Sequence, residues 1–172
     1  FQSREACLEH MRSRPQVFWE QIESVWNQET PSTDTQKPSQ TFRIITPFYN
    51  AEGFIGRCIY SLKRQLNENF QCYMIDDLSD DKSSTVAGLY TADDKRFTLL
   101  QNNQKKYALE NICNTIDSID DISDDDIIIL LDGDDWLPSN DIFEKINNTY
   151  RQKNCKYMYS NFIFSHNFQP GI

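Results

Sequence analysis

The sequence has little glycine, few basic residues and no close pair of cysteines. Five glycines in 172 residues exclude collagen-like and glycine-rich linker proteins. Lysine and arginine together number 17, against 26 aspartate and glutamate residues, which gives a formal charge of −9. Because so acidic a chain repels a nucleic-acid backbone and carries no basic stripe, we expect no nucleic acid among its partners.

The five cysteines are scattered along the chain, and no two have the spacing of zinc ligands. An odd number of cysteines suits a reducing compartment better than a disulfide framework, so we expect an intracellular, cytoplasmic protein. Long hydrophobic runs are also lacking. Because no apolar stretch approaches the ~20 residues of a membrane-spanning helix, we expect no membrane span in this chain.

The chain divides into three parts by composition. Residues 1–27 carry apolar side chains at loosely helical spacing, which predicts an N-terminal helical extension. Residues 28–40 contain two prolines and almost no apolar side chains, which is typical of a linker. Residues 41–172 show regular patterns and have a length that suits one domain with its own hydrophobic core.

Apolar runs of strand length alternate with helical patterns from residue 41 onward. The run IIILL is continuously apolar, as in a strand buried on both faces of a parallel sheet. The alternation predicts an α/β fold, with a mostly parallel, Rossmann-like sheet flanked by helices. The predicted strands are residues 42–47, 70–75, 96–100, 127–131 and 156–164, and helices are predicted after the first, third and fourth of them.

Dense clusters of polar residues follow four of these predicted strands. In an open parallel sheet, ligands bind outside the carboxyl ends of the strands. If the strands are parallel, all the clusters share one edge of the sheet, and that edge is the predicted site. The clusters are residues 47–50, 76–81, 101–103 and 132–135.

The fourth cluster has the clearest chemistry. Asp132, Asp134 and Asp135 lie within four residues, directly after a predicted buried strand. Three carboxylates so close together repel one another unless a cation lies between them, and Mg²⁺ or Mn²⁺ takes carboxylate oxygens. The alternative is a solvated acidic turn, which is how we interpret the nearby run 124–126.

The other clusters are more ambiguous. A carboxylate of the second cluster could accept a hydrogen bond from a base imide or a ribose hydroxyl, but a helix cap followed by an acidic turn fits equally well. Tyr49 could stack on a base or could simply pack against its neighbours. Lys105 and Lys106 lie near the same predicted edge and could pair with phosphate, although a solvated lysine pair has the same pattern.

Three segments together resemble glycosyltransferase family 2, whose nucleotide-sugar domain has the GT-A fold. They match the family's strand ending in P-x-Y-N-A, its strand ending in DD-x-S-x-D, and its D-x-D motif before a tryptophan and a proline. A fourth stretch, NNQKKYALENI (102–112), resembles a further segment of the family, and the resemblance covers about residues 41–165. The three segments are TPFYNAEGFIGRCIYSLKRQ (46–65), FQCYMIDDLSDDKS (70–83) and LLDGDDWLP (130–138).

The resemblance implies roles in donor binding for five residues. Pro47 and Tyr49 are expected to line a uracil site, with the Tyr49 ring against the base. Asp77 is expected to accept the imide N–H of uracil, with Asp76 supporting it. Lys106 is expected to contact the diphosphate.

The resemblance also implies a metal site. Asp132 and Asp134 form the D-x-D pair, with Asp134 as the direct ligand of Mn²⁺ or Mg²⁺ and Asp132 nearer the ribose and the sugar. Asp135 makes the assignment of the metal-binding pair ambiguous, because a motif shifted by one residue would use Asp134 and Asp135 instead.

By the same resemblance, the chain is expected to be a metal-dependent donor domain that binds a nucleotide sugar, with a UDP-sugar favoured. Transfer of the sugar to a glycan, lipid or protein acceptor is expected to invert the anomeric centre. The catalytic base and the acceptor half are expected beyond Ile172, so we expect an incomplete GT-A domain. Two alternatives stay open: a non-catalytic module that binds nucleotide sugars, and a phospho-acceptor receiver domain.

Overall fold

The computed structural model describes residues 40–153 and 155–165. The predicted N-terminal extension (1–27) lies outside these residues, as does all of the predicted linker (28–40) except Gln40. In the described part of the chain, four strands alternate with four helices. No helix in this part is long and apolar enough to cross a membrane.

The strands and helices follow one another in strict alternation along the chain. The sequence pattern misses helix α2, because its residues SSTVAGLYT mix small and polar side chains and form no clear apolar stripe. The elements are β1 (Phe42–Phe48), α1 (Ile55–Lys63), β2 (Phe70–Asp76), α2 (Ser83–Thr91), β3 (Phe97–Gln101), α3 (Tyr107–Asp117), β4 (Ile127–Leu130) and α4 (Ile142–Lys153).

The four strands form one parallel sheet in the order β3-β2-β1-β4. Phe42 of β1 pairs with Phe70 of β2 on one side and with Ile127 of β4 on the other. The chain thus builds outward from β1 to β3 and then returns to add β4 on the opposite side of β1. Such a reversal opens a crevice at the carboxyl ends of the two strands, where ligands bind. The predicted α/β class with a parallel sheet is confirmed.

The hydrophobic core lies on both faces of β1, whose seven residues are all buried. On one face, the ring of Phe42 stacks on Phe143 of α4, with 4.6 Å between the ring centroids, and Phe70 meets Phe143 edge-on at 5.5 Å. On the other face, Ile45 and Ile75 pack beneath α3. Burial of each such side chain contributes about 1.5–3 kcal/mol, which fixes the strands whose ends carry the polar clusters.

An ion-pair cluster centred on the buried Arg43 lies at the amino end of β1. Arg43 is 5% exposed, its Nε donates to Asp126 Oδ2 at 2.8 Å, and its guanidinium contacts Asp121 at 3.2 Å. Burial alone would lower the pKa of Arg43, but the hydrogen bonds to the two carboxylates raise it above its ordinary value. The interpretation of 124–126 as a solvated turn is therefore wrong for Asp126, whose side chain is 7% exposed and ion-paired.

The strand predicted at residues 156–164 is not formed. Only Ile163 makes an isolated bridge in this segment, while Tyr157 and Tyr159 are 81% and 87% exposed. The alternating aromatic pattern indicates strand propensity, but a strand also needs a neighbouring ladder of main-chain hydrogen bonds. The described part of the chain does not supply that ladder.

Candidate functional site

Main-chain hydrogen bonds bring the ends of β1, β2 and β4 to one edge of the sheet. Asp77 N–H donates to Phe48 O at 2.9 Å, and Gly133 N–H donates to Pro47 O at 3.2 Å. These bonds continue the parallel pairing past the last strand residues. The polar residues after the three strands therefore lie together at the reversal between β1 and β4.

The turn after β1 is bonded to the turn after β2, and Tyr49 is exposed between them. Asn50 has φ 50°, a left-handed conformation that asparagine tolerates better than most residues. Its Oδ1 accepts from Asp80 N–H at 2.8 Å, and its own N–H donates to Ser79 Oγ at 3.0 Å. The Tyr49 hydroxyl donates to Asp80 Oδ2 at 3.2 Å, which fixes a ring that is 43% exposed. Pro47, by contrast, is buried.

Asp76 is 5% exposed, and its carboxylate accepts a hydrogen bond from the turn that follows it. Oδ1 accepts from Ser79 N–H at 2.9 Å and closes this turn around Leu78. Leu78 has φ 64°, a left-handed conformation that costs a leucine about 1–2 kcal/mol. Asp76 thus stabilises a strained backbone directly beside Asp77.

Asp77 is 4% exposed, and three hydrogen bonds hold its carboxylate. Oδ1 accepts from Lys106 N–H at 2.8 Å and from Asn102 Nδ2 at 2.9 Å, and Oδ2 accepts from Tyr107 N–H at 2.9 Å. Burial alone would raise the pKa of Asp77, but these donors, together with the side-chain amide of Asn111, lower it below its ordinary value. The carboxylate is therefore ionised at neutral pH, where it accepts hydrogen bonds and donates none.

Lys105, rather than Lys106, directs its side chain to Tyr49. The Lys105 ammonium lies 3.0 Å from the centroid of the Tyr49 ring and 5.8 Å from that of Tyr107, in a cation–π arrangement. Lys106 takes part through its backbone N–H, which bonds to Asp77. Two adjacent lysines give no sequence signal that separates them, because the path of this loop depends on Tyr107, whose φ of 63° is unusual for an aromatic residue.

The segment after β4 requires glycine at position 133. A Cβ atom there would overlap the Cβ of Phe48 and lie 3.0 Å from Cδ1 of Ile55. Gly133 therefore lets the backbone cross closely over the end of β1. Asp132 and Asp134, on either side of it, are exposed at the edge that carries the other polar residues.

The acidic cluster has charges that the described residues do not neutralise. Asp132, Asp134 and Asp135 are exposed, and none of the three forms an ion pair within the described part of the chain. Partial burial, followed by the charge of Asp134, raises the pKa of both Asp132 and Asp135 above its ordinary value. A hard divalent cation would relieve this repulsion, because it takes carboxylate oxygens.

The donor set fits Mn²⁺ or Mg²⁺ shared with phosphate better than a complete protein cage. Among residues 40–153 and 155–165, no three His, Cys, Asp or Glu side chains converge closely enough to hold a metal ion by themselves. Mg²⁺ is usually bound through only one or two carboxylates together with substrate phosphates. Exposed carboxylates on a fixed backbone are suited to that arrangement.

Contacts with α1 fix the cluster's position. The guanidinium carbon of Arg57 lies 5.3 Å from the centroid of the Trp136 ring, and Leu137 N–H donates to Ser61 Oγ at 3.0 Å. No sequence pattern connects Arg57 or Ser61 with the acidic cluster, because Ser61 and Leu137 are 76 residues apart along the chain.

Sequence reasoning also assigned no role to Asn102 or Asn111. Asn102 belongs to the polar cluster after β3, and its N–H donates to Asp76 O at 3.0 Å. Asn111 lies in the second turn of α3 and is 2% exposed. The sequence placed both residues in a segment that resembles the family, and it placed Asn102 in the polar cluster 101–103 as well. It did not predict their contacts to Asp77, because these arise only when the loop before α3 is folded.

Comparison with known proteins gives one family. The model of the family "Glycosyl transferase family 2" matches residues 43–162. An uncharacterized glycosyltransferase of Haemophilus influenzae is 33% identical over 123 residues, which are 70% of this chain and 46% of that protein. The chain therefore spans less than half the length of this relative.

Solved structures show the same fold. TarS 1–349 of S. aureus, in complex with UDP-GlcNAc, superposes with a TM-score of 0.56 at 16% identity, covering 67% of this chain and 32% of that one. The mannosyltransferase PcManGT of Pyrobaculum calidifontis, in complex with GDP-Man and Mn²⁺, gives a TM-score of 0.59 at 11% identity, with 88% and 44% covered. At these identities the likeness establishes the fold, and the ligands are those of the other proteins.

Proposed function

The chain belongs to glycosyltransferase family 2, and we propose that it supplies the donor-binding half of a metal-dependent transferase that uses a UDP-sugar. One observation carries the proposal. The ionised Asp77 and the exposed ring of Tyr49 lie at the same sheet edge as three carboxylates that lack an ion-pair partner within the described residues. A nucleoside diphosphate sugar requires both kinds of group, one for the base and one for the diphosphate.

Tyr49 and Asp77 account for the base in this proposal. The ring of Tyr49 is held by its hydroxyl and is 43% exposed. The Lys105 ammonium lies over one face of the ring, so we assign the planar base to the other face. Asp77 is an acceptor without a proton, so it suits a base edge that carries an N–H, as uracil does. The complexes of TarS with UDP and with UDP-GlcNAc are consistent with uracil, and the complex of PcManGT with GDP-Man makes guanine the alternative base, because its edge also carries a ring N–H.

In this proposal, the acidic cluster binds the diphosphate through a divalent cation. The cluster consists of Asp132, Asp134 and Asp135. We assign Asp134 as the direct ligand of Mn²⁺ or Mg²⁺, with Asp135 as the second ligand and Asp132 nearer the ribose and sugar. When bound, such a cation neutralises the charge that develops on the leaving diphosphate. Lys106 is assigned to the diphosphate through its side chain, and its backbone is already fixed by Asp77.

In the proposed reaction, the acceptor hydroxyl displaces the nucleoside diphosphate at the anomeric carbon with inversion. The described residues would bind and orient the donor in this reaction. The acceptor, whether glycan, lipid or protein, and the base that deprotonates it are assigned to the part of the protein outside this donor half. The relative from Haemophilus influenzae has more than half of its length beyond the matched span.

The first test is calorimetric titration of UDP into the protein with Mn²⁺ and then with EDTA, with CDP as the matched control ligand. We expect UDP to bind with Mn²⁺, to bind much more weakly with EDTA, and to bind better than CDP under both conditions. Equal affinity with Mn²⁺ and with EDTA would contradict the metal assignment. Absence of UDP binding in both buffers would contradict the choice of uridine, and GDP and dTDP would be titrated next.

A non-catalytic module that binds nucleotide sugars is the second candidate. It requires only the groups that bind the donor, which the described residues supply in Tyr49, Asp77 and the acidic cluster, and it requires no catalytic base. Incubation with UDP-sugars separates the two candidates: release of UDP, with or without an added acceptor, indicates transfer chemistry, whereas binding without release indicates the module. Membership of family 2 gives no support to the receiver-domain alternative.

A further inference from the structure

The two faces of strand β4 are covered to different extents. Ile127 and Ile129 pack in the core that contains Phe143 of α4. Because side chains alternate along a strand, Ile128 and Leu130 lie on the opposite face, where they are 39% and 58% exposed. One face of β4 is therefore part of the core, and the other is an open apolar surface.

The same face of the neighbouring strand β1 is closed. Arg43 of β1 pairs with Ile128 and Ile45 pairs with Leu130, yet these two β1 residues are only 5% and 0% exposed. The hydrophobic cluster beneath α3 joins residues of β1, β2 and α3, and among the described residues it includes none from β4. Helix α3 thus covers β1 and β2 and stops short of β4.

The sequence of β4 is that of a strand with both faces covered. All four of its residues are isoleucine or leucine. Parallel sheets carry helices on both faces and their strands are continuously apolar, whereas a strand with one solvated face alternates apolar and polar residues. The open face of β4 therefore requires a further apolar element beside α3.

We propose that residues 15–27 form a helix that packs on the open face of β4, which consists of Ile128 and Leu130. This segment lies outside the described residues, and its sequence predicts an amphipathic helix with Pro15 in the first turn. A single short helix is marginal in water unless its apolar side packs against a partner. The apolar stripe of the predicted helix consists of Phe18, Ile22, Val25 and Trp26.

The predicted linker leads to this part of the sheet. Thr41 O accepts from Ile127 N–H at 2.9 Å, and Gln40 Nε2 donates to Asp125 O at 3.0 Å, so the chain enters the sheet beside the amino end of β4. Residues 28–39 can span up to about 40 Å when extended, and β4 is only about 13 Å long. Because a short tether gives a local concentration on the order of millimolar, even weak packing of the helix would keep the face covered.

The charges around the open face favour this occupant over a second copy of the chain. Exposed acidic residues flank β4 on both sides, at 124–125 before it and at Asp132 and Asp134 after it. Two copies that met through this face would bring these like charges together. The segment 12–27 contains two arginines and two glutamates, so it is formally neutral and adds no such repulsion.

The test compares Leu130 with Leu89 of α2 by hydroxyl-radical footprinting of the whole chain, read by mass spectrometry. The two leucines are 58% and 59% exposed, so they should be oxidised at similar rates if nothing covers β4. Ile22→Asp places a charge in the apolar stripe of the predicted helix. Ser24→Asp places the same charge on the opposite side of that helix and is the matched control.

We expect Leu130 of the wild-type chain to be oxidised about fivefold more slowly than Leu89, because the docked helix shields it. Ile22→Asp should raise the oxidation rate of Leu130 to that of Leu89, and Ser24→Asp should leave it at the wild-type value. Urea denaturation gives a second readout. Ile22→Asp and Leu130→Gln disrupt the same contact, so their effects on the urea midpoint should not add, whereas those of Ile22→Asp and Leu89→Gln should add.

Equal oxidation of Leu130 and Leu89 in the wild-type chain overturns the proposal, and this comparison needs no variant. Protection of Leu130 that persists in Ile22→Asp also overturns it, because another element then covers the face. Protection that disappears on dilution, with a dimer seen by light scattering, assigns the face to a second copy and likewise overturns the proposal. If Ile22→Asp loses the wild-type circular dichroism spectrum, Phe18→Asp and Val25→Asp test the same stripe. The result is independent of the proposed function, since no nucleotide enters the experiment.

Discussion

The two ends of the β1–β4 strand pair both carry acidic residues, but only one end neutralises them. At the amino end, Asp121 and Asp126 surround the buried guanidinium of Arg43. At the carboxyl end, Asp132, Asp134 and Asp135 lie exposed and have no cation among the described residues. The same residue type, at the two ends of the same strands, is thus held in two different electrostatic states.

This difference separates structure from function. A carboxylate that has its own buried cation cannot serve an incoming ligand without breaking the fold, whereas one that repels its neighbours gains from any cation that arrives. Retention of such repulsion at one edge of an otherwise well-packed sheet is typical of a functional site. The predictions below test whether the two ends respond in opposite ways.

The largest effect should come from breaking the neutralised end. Arg43→Met keeps most of the side-chain volume but leaves Asp126 buried without a counter-charge, and losing one partner of a buried pair costs about 3–5 kcal/mol. Urea denaturation at neutral pH measures the loss in the free energy of unfolding. The control, Lys95→Met, removes an exposed cation that forms no ion pair with any described residue, and it should change that free energy by less than about 0.5 kcal/mol. Equal effects of the two substitutions would show that the ion pair does not stabilise the fold.

Removal of a charge at the other end should affect binding and spare the fold. Asp134→Asn relieves repulsion, so the free energy of unfolding without metal should stay the same or rise slightly. In calorimetric titrations, the gain in UDP affinity that Mn²⁺ provides should fall by about a hundredfold, because a charged contact is worth up to about 3 kcal/mol. Asp124→Asn, which removes an exposed charge from the preceding turn, is the control and should leave UDP binding unchanged. If UDP binding by Asp134→Asn still depends on Mn²⁺, another residue is the direct ligand of the metal.

Glycine substitutions can displace the carboxyl end without changing its charge. Gly133→Ala places a Cβ atom against Phe48 and Ile55, and overpacking of this kind costs about 1–3 kcal/mol in the free energy of unfolding. UDP binding in Mn²⁺ should weaken as well, because the acidic segment must shift. Gly53→Ala is the matched control, since an added Cβ there meets nothing within 4 Å. It should be neutral or slightly stabilising in the same denaturation experiment.

Local patterns predicted four strands correctly, and the alternation of strands with helices predicted the parallel sheet and the edge at which the polar clusters meet. The partner of Arg43 could not be predicted this way, since Asp126 is 83 residues away and its own segment has the composition of a solvated turn. The strand expected at 156–164 failed for the same reason, because its formation depends on a partner strand and not on its own residues. The sequence could not show which of Lys105 and Lys106 directs its side chain to Tyr49, because the path of their loop depends on the left-handed conformation of Tyr107.

Asp77 differs from the carboxylates at both ends of the strand pair, because neutral donors rather than a cation stabilise its charge. Its folded pKa is lowered, so its contribution to stability is fully present above the ordinary aspartate pKa and is lost as the pH falls through the folded value. Asp77→Asn should therefore destabilise the protein by about 0.5–2 kcal/mol at pH 7, the range for loss of a helix-capping acceptor, and by less near pH 3. Urea denaturation at both pH values measures this, with Asp120→Asn at an exposed position as the control. A pH-independent difference would mean that the hydrogen bonds to Asp77 do not depend on its charge, and the carboxylate would then resemble neither end of the strand pair.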